Sequence, residues 1–375
     1  MDRQVSRSKL YYRVCCCVLF FVAAAASFNG YYDKWHFREP SVAGASSAPG
    51  VSLNQYGFAE IIDGTAARPF IYRQLLPMLA NGIDRVTPQH IKDYLFNGRD
   101  GRRLPDILFD SPLAKDRTYF YRYLVFYIAS FLFVWLAVYA MYLVCQALAM
   151  PPMVSVFAPV IMILLMPYFL TGGGYFYDYP ELAFLALTMW MALKFDWWWM
   201  VPLVALATWN KESFLLVTLT LYPILRRRTS WVSALIGTGC MALTCAAVYW
   251  VIRSHYAQNP GETVLKLWEV QLSFFTHPLN FVEREKTYGV LNFRAFTVLP
   301  LALIVWTAVR GWNRLPKAIQ RHAQVAAAIN LPLYILFCAP GEIRDFSLLY
   351  MVFMLLLAVN LSQAFALNSE AVSVK

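Results

Sequence analysis

Four places in this 375-residue chain set carboxylates beside cations or aromatic rings at spacings that suit proton transfer and anion binding. Asp178 and Glu181 stand three apart in Tyr175-Phe-Tyr-Asp178-Tyr-Pro-Glu181, and Lys211 adjoins Glu212 in Asn210-Lys-Glu-Ser213. Glu342 and Arg344 flank a single residue in Gly341-Glu-Ile-Arg-Asp345, and Asp33 follows paired tyrosines in Tyr31-Tyr32-Asp33-Lys34-Trp35-His36. A fifth stretch, 68–79, interleaves Arg68, Tyr72 and Arg73 with apolar residues. A carboxylate held near a hydroxyl can take its proton, and a guanidinium or ammonium can stabilise charge building on a phosphate oxygen. Each cluster also has a plainer reading. Asp178 and Glu181 suit the cap and first turn of a helix, Arg344 suits a structural ion pair with Glu342 or Asp345, and Asp33 suits a helix end in an aromatic belt. There is no Walker loop, dinucleotide glycine pattern or zinc spacing, the five histidines are scattered, and Gly172-Gly173-Gly174 reads as a flexible turn. No cofactor is implied, although a divalent metal held by carboxylates alone stays open.

What positions these residues follows from composition. The chain is 59% apolar and 14% charged, against about 25% charged in soluble domains, and its apolar runs approach the about 20 residues that cross a bilayer. A soluble globular protein is excluded. We read ten membrane segments, at 14–29, 119–147, 152–170, 180–194, 196–209, 213–225, 230–252, 293–309, 324–339 and 345–366. The expected fold class is all-α: a polytopic membrane protein with a long first outer loop carrying a juxtamembrane helix. The organisation is a cytoplasmic N-terminus and first helix (1–29), an outer loop (30–118), helices two to seven (119–252), a second outer loop (253–292), then helices eight to ten with a cytoplasmic tail (293–375). All seven cysteines fall in apolar runs, so no disulfide is expected. The net charge of +10 is attributed to cytoplasmic loops, and nucleic acid is not expected as a partner.

Segment 196–225 decides the topology. As two short segments meeting at Asn210-Lys211-Glu212, it lets the inner side receive Arg3, Arg7, Lys9 and Arg13, then Arg226, Arg227 and Arg228, then Arg310, Arg314, Lys317 and Arg321. As one long segment it turns the later clusters outward and leaves Lys211 and Glu212 in hydrocarbon, at roughly 2.5 to 3.5 kcal/mol each. The first version places 175–181, 210–213, 341–345 and Asp33 together at the outer interface, while the inner linker 147–152 has no charge. Within the first outer loop, 41–50 reads as flexible, and 68–79 as a helix lying flat among lipid headgroups. Trp268, Phe274 and Phe275 of the second outer loop are expected to touch the surface.

This pattern resembles the GT-C superfamily of multi-pass glycosyltransferases, which take sugars from polyprenyl phosphates at the outer face of the membrane. The likeness covers nearly the whole chain. It rests on Asp33 in a long first outer loop, on 68–79 after it, and on the turns Tyr-Asp-Tyr-Pro-Glu, Asn-Lys-Glu-Ser and Glu-Ile-Arg-Asp-Phe, which resemble those of bacterial relatives in that group. Here Asp33 is followed by Glu39 six residues on, not by the adjacent acid many members carry. The resemblance implies a bacterial plasma-membrane enzyme that uses a polyprenyl-phosphate sugar, a glycan or lipid-linked acceptor, and membrane lipid. Asp33, Asp178 and Glu181 would supply catalytic carboxylates, and Arg68, Tyr72, Arg73, Lys211, Glu212, Glu342 and Arg344 would bind substrate. Two rival classes stand beside it. A secondary transporter or flippase would use the break at 210–213 as a half-helix site but would favour ionisable groups at the midplane, and a noncatalytic scaffold needs no convergence of charge.

Overall fold

The computed structural model of the protein describes residues 2–32, 57–98, 103–108, 111–170, 175–262, 264 and 266–373. Helix dominates, at 79%. In chain order the helices are α1 (Asp2–Tyr32), α2 (Phe58–Ile62), α3 (Leu75–Val86), α4 (Gln89–Asn97), α5 (Leu104–Leu108), α6 (Pro112–Lys115), α7 (Phe120–Ala147), α8 (Pro152–Phe169) and α9 (Asp178–Lys194). There follow α10 (Met200–Asn210), α11 (Phe214–Thr220), α12 (Tyr222–Arg228), α13 (Trp231–His255), α14 (Trp268–Thr276), α15 (Val298–Gly311), α16 (Lys317–Phe337) and α17 (Tyr350–Ser373). A buried apolar core runs through α1, α7, α8, α9 and α17, with α7 packed along α9 and α1 against α7 and α8.

Five stretches among the described residues are long and apolar enough to cross a membrane: Leu10–Tyr32, Phe120–Ala147, Pro152–Phe169, Trp231–His255 and Ile343–Ala366. The chain is therefore consistent with an all-α membrane protein, and five of the ten expected segments meet the length and apolarity needed within a single described helical stretch. The shortfall has a local cause. Pro223 has no N–H to continue a helical ladder, and Thr218 and Thr220 turn their hydroxyls onto the carbonyls of Leu215 and Val217, both at 2.7 Å. The expected segment 213–225 is thus divided into α11 and α12, each about 10 Å long against an about 30 Å hydrocarbon layer. Helix α16 has the length but opens on the polar Lys317-Ala-Ile-Gln-Arg-His322.

Prolines inside α8 create needs that other elements meet. Pro167 cannot donate to the carbonyl of Ile163, and the Ser27 hydroxyl of α1 takes that carbonyl instead at 2.6 Å. Nearby, the Tyr288 hydroxyl donates to the Leu164 carbonyl at 2.9 Å. Tyr288 belongs to a two-stranded antiparallel hairpin absent from our all-α reading, β1 (Arg284–Thr287) and β2 (Val290–Phe293), between α14 and α15. Tyr288 and Gly289 both have positive φ, 54° and 77°, the turn whose twist suits a two-residue hairpin. The Tyr288 ring lies against Gly30 of α1, where a Cβ would come within 2.6 Å of it. The hairpin tip is therefore lodged between α1 and α8.

The expectation that 68–79 forms one helix flat on the lipid is corrected. Phe70–Tyr72 is a 3-10 turn with Ile71 and Tyr72 buried, and α3 begins only at Leu75. The Gln74 amide donates to the carbonyl of Trp209 at the end of α10, 3.0 Å away, so the start of this segment is pinned to the helical bundle. Only farther along do apolar side chains emerge, at Met78, Leu79 and Val86.

Candidate functional site

The three polar turns converge. Helix α9 opens at Asp178, and its Oδ2 reaches back to accept the Tyr175 amide at 2.8 Å. Asp178 is thus not the cap of its plainer reading, that position falling to Tyr177, but the two acids occupy the helix N-terminus, where the dipole favours negative charge. At the second turn α10 ends at Asn210, and Lys211 is extended, with φ −157° and ψ 131°, before α11 begins. The Asn210 side chain ties the two turns by donating to the Tyr177 carbonyl at 3.0 Å. The third turn leaves α16 through Gly341, whose φ of +77° favours glycine, and runs into a 3-10 stretch, Ile343–Leu349, ahead of α17.

Each cation meets an acid from the same cluster. Lys211 Nζ lies 2.7 Å from Glu181 Oε2, while Glu181 Oε1 accepts Ser213 at 3.1 Å and Ser347 at 2.8 Å. Arg73 binds Glu212 at 3.1 Å and donates to the Tyr177 hydroxyl. Arg344 binds Glu342 at 2.6 and 2.7 Å; its Nη1 makes no hydrogen bond and lies 3.8 Å from Asp178. Aromatic faces hold the guanidiniums from the other side, Tyr177 at 4.1 Å from Arg73 and Tyr175 at 4.2 Å from Arg344. Tyr175 and Tyr177 are themselves stacked at 5.3 Å, and Phe70 stacks on Tyr175 at 6.2 Å. The Tyr31 hydroxyl of α1 donates to the Tyr175 carbonyl, bringing the end of the first helix to the same place.

Burial sets the electrostatics. Asp178 is 4% exposed and Glu181 2%, so leaving either without a partner would strand a charge in a dry interior. Burial pushes the Glu342 carboxyl up to about 7, opposed by Arg344 and reinforced by the nearby charge of Asp345. Burial also pushes Glu212 upward, but Arg73 outweighs it and holds that carboxyl below its ordinary value. Burial works to strip the Lys211 proton, and Glu181 and Asp178 more than offset it, so the ammonium is held more firmly than usual. Lys211 and Glu212 are therefore held in their charged forms, whereas burial works against the charged form of Glu342.

Of the residues singled out in the sequence, Asp178, Glu181, Arg73, Lys211, Glu212, Glu342 and Arg344 come together. Arg68 does not join them. Its guanidinium donates to the Gly261 carbonyl at 2.6 Å, between α13 and α14. Tyr72 packs edge-on to Tyr249, with its hydroxyl buried and without a hydrogen-bond partner. Asp33 and Glu39 lie outside the described residues, as does Gly172-Gly173-Gly174. Sequence reasoning missed Ser347 as a Glu181 partner and gave Tyr175 and Tyr177 no role as guanidinium platforms. The tyrosines carried a signal, the alternation Tyr-Phe-Tyr before an acid, whereas Ser347 carried none. Among the described residues no group of three or more His, Cys, Asp or Glu side chains could hold a metal ion.

The fold and this cluster define a helical, membrane-embedded protein with a buried ionic centre at one end of its bundle. Comparison with protein families, curated proteins and solved structures finds no match to this chain.

Proposed function

We propose that the protein is an integral membrane glycosyltransferase, moving a sugar from a polyprenyl-phosphate donor to a glycan or lipid-linked acceptor at the outer face of the membrane. The observation that carries this reading is the meeting of Arg73, Lys211 and Arg344, from three separate segments, around the stacked Tyr175 and Tyr177 and the Asp178 carboxylate. In such a transfer an acceptor hydroxyl attacks the anomeric carbon, the carbon–oxygen bond to phosphate breaks, and the lipid phosphate leaves with the electron pair. A carboxylate takes the hydroxyl proton, and cations stabilise the leaving phosphate. Asp33 is the proposed base, next in sequence after the α1 end that reaches Tyr175 through Tyr31, and Asp178 is its competitor. Arg344 is the proposed phosphate grip, because one of its nitrogens makes no hydrogen bond. Glu181, with both oxygens occupied by Lys211, Ser213 and Ser347, serves as the anchor of the centre.

The test is donor consumption by the purified protein in lipid, supplied with polyprenyl-phosphate sugars and a glycan acceptor. Asp33→Asn keeps shape and removes the base, so turnover should drop roughly 100-fold while donor still binds. Arg344→Gln should lower donor use roughly tenfold or more, the worth of a charge-assisted hydrogen bond of about 1.5 to 3 kcal/mol. Collapse in Asp178→Asn with Asp33→Asn unaffected moves the base to α9. No turnover in the unaltered protein, with solute uptake into vesicles instead, replaces the enzyme with a transporter.

A further inference from the structure

A second polar site lies away from the buried centre. It is a cavity of about 290 Å³ lined by Asp84 of α3, Gln89, Lys92, Asp93 and Phe96 of α4, and by Arg117, Thr118, Phe120 and Tyr121 at the start of α7. We propose that this cavity is the subsite for a neutral pyranose of the acceptor glycan, an inference that rests on the glycosyltransferase reading.

Charge balance narrows the ligand class. Two acids face two bases, as Lys92 with Asp84 at 2.8 Å and Arg117 with Asp93 at 2.6 Å, so the cavity offers no net charge to an anion or a cation. It does offer unspent hydrogen-bond capacity. Asp93 Oδ1 accepts both Gln89 at 3.0 Å and Arg117 at 2.6 Å, and among the described residues nothing donates to its Oδ2. Arg117 spends one of its five N–H groups on that bond, and its side chain is 61% exposed. An acceptor oxygen beside spare guanidinium N–H groups matches a vicinal diol, in which each hydroxyl both gives and takes a proton, and the match leaves the ion pair intact. Beside them Tyr121 and the buried Phe96 and Phe120 form an aromatic floor to the cavity, against which the C–H groups of a sugar ring can rest. The volume suits a single small ring. A rise of about 1.5 Å per residue places Asp84 about 14 Å along α3 from Leu75, just past Arg73. A glycan chain seated here can therefore extend toward the buried centre along one rigid helix.

The experiment is saturation-transfer NMR on the full-length protein in lipid nanodiscs, with methyl glucoside, galactoside and mannoside as probes. At least one probe should show transfer, falling about fivefold or more in Asp93→Asn and in Arg117→Gln and unchanged in Arg284→Gln on the remote hairpin. Transfer that survives both cavity variants but vanishes in Lys211→Met places the sugar in the buried centre and overturns the subsite. No transfer to any glycoside overturns the subsite as well, and transfer to glycerophosphoethanolamine that falls in the same two variants then makes the cavity a zwitterionic headgroup site. The subsite and the enzyme reading fail separately: glycoside binding lost in the cavity variants, without turnover of any lipid-phosphate sugar, leaves a saccharide site on a protein that is not a transferase.

Discussion

The centre around Tyr175–Tyr177 and the cavity between α4 and α7 use the same chemistry, acids paired with bases beside aromatic rings, and differ in access to water. Glu181 is 3% exposed against its lysine in the first, and Arg117 is 61% exposed against its aspartate in the second. In the dry setting neither charge of a pair can lose its partner without stranding the other, so the ion pairs weld three turns together. In the wet setting water replaces a lost partner, so an ion pair contributes little to stability and its spare hydrogen-bond capacity remains for a ligand. Burial therefore decides which pairs hold the fold, and in the dry centre the Arg344 nitrogen without a hydrogen bond is what remains for a ligand.

Lys211→Met attacks the dry side of this contrast most directly. It leaves Glu181 buried with only Ser213 and Ser347, and should destabilise the protein by about 3 to 5 kcal/mol, read as a large drop in the thermal midpoint of the detergent-solubilised protein. Adding Glu181→Gln should recover part of the loss, since a neutral amide can still accept both hydroxyls. A loss under 1 kcal/mol for the single variant would show that water reaches Glu181 and would erase the difference between the two regions.

Much of this centre was legible in the sequence. Charges close to apolar runs are costly in a bilayer, so the turns at 175–181, 210–213 and 341–345 stood out, and their grouping on one side followed from where the arginines fall. Which acid takes which base was not legible. Lys211 pairs with Glu181 rather than the adjacent Glu212, which turns to Arg73, a choice made by helix packing across 30 and 139 positions of sequence. The same applies to the hairpin, whose tip fits the notch at Gly30 through shape, a property no residue pattern encodes. The division of α11 from α12 was signalled by Pro223 and the threonines before it, yet apolarity alone had suggested a single segment.

A pH titration sharpens the comparison at Glu342. Its carboxyl is raised by burial from 4.5 to about 7, so the folded state keeps a proton that the unfolded state has given up. That contribution to stability is complete below about 4.5 and is lost as pH rises to about 7, the opposite of an ordinary ion-paired carboxylate. Thermal midpoints of wild type and Glu342→Gln should therefore diverge across that window, with wild type losing ground as pH rises and the amide variant lacking this component. Parallel curves would mean that Arg344 keeps Glu342 ionised throughout.

The smallest effect belongs to the wet side. Lys92 pairs with Asp84 at 2.8 Å and lies 5.7 Å from the Tyr121 ring, but Asp84 keeps 30% of its side chain in solvent. Removing the ammonium in Lys92→Met leaves a hydrated carboxylate rather than a stranded one, so the loss of stability should be at most about 1 kcal/mol. The methionine stem still covers Tyr121, which keeps the apolar part of the contact. Added salt should shrink even this effect, because exposed charges are screened over about 10 Å at 0.1 M ionic strength. The measurement is the wild-type to Lys92→Met difference in thermal midpoint at low and at high sodium chloride, beside Lys211→Met under the same conditions. A Lys92→Met loss that rivals Lys211→Met and ignores salt would make the cavity as dry as the buried centre. Its ion pairs would then be structural, and the hydrogen-bond capacity assigned to a ligand would belong to the fold.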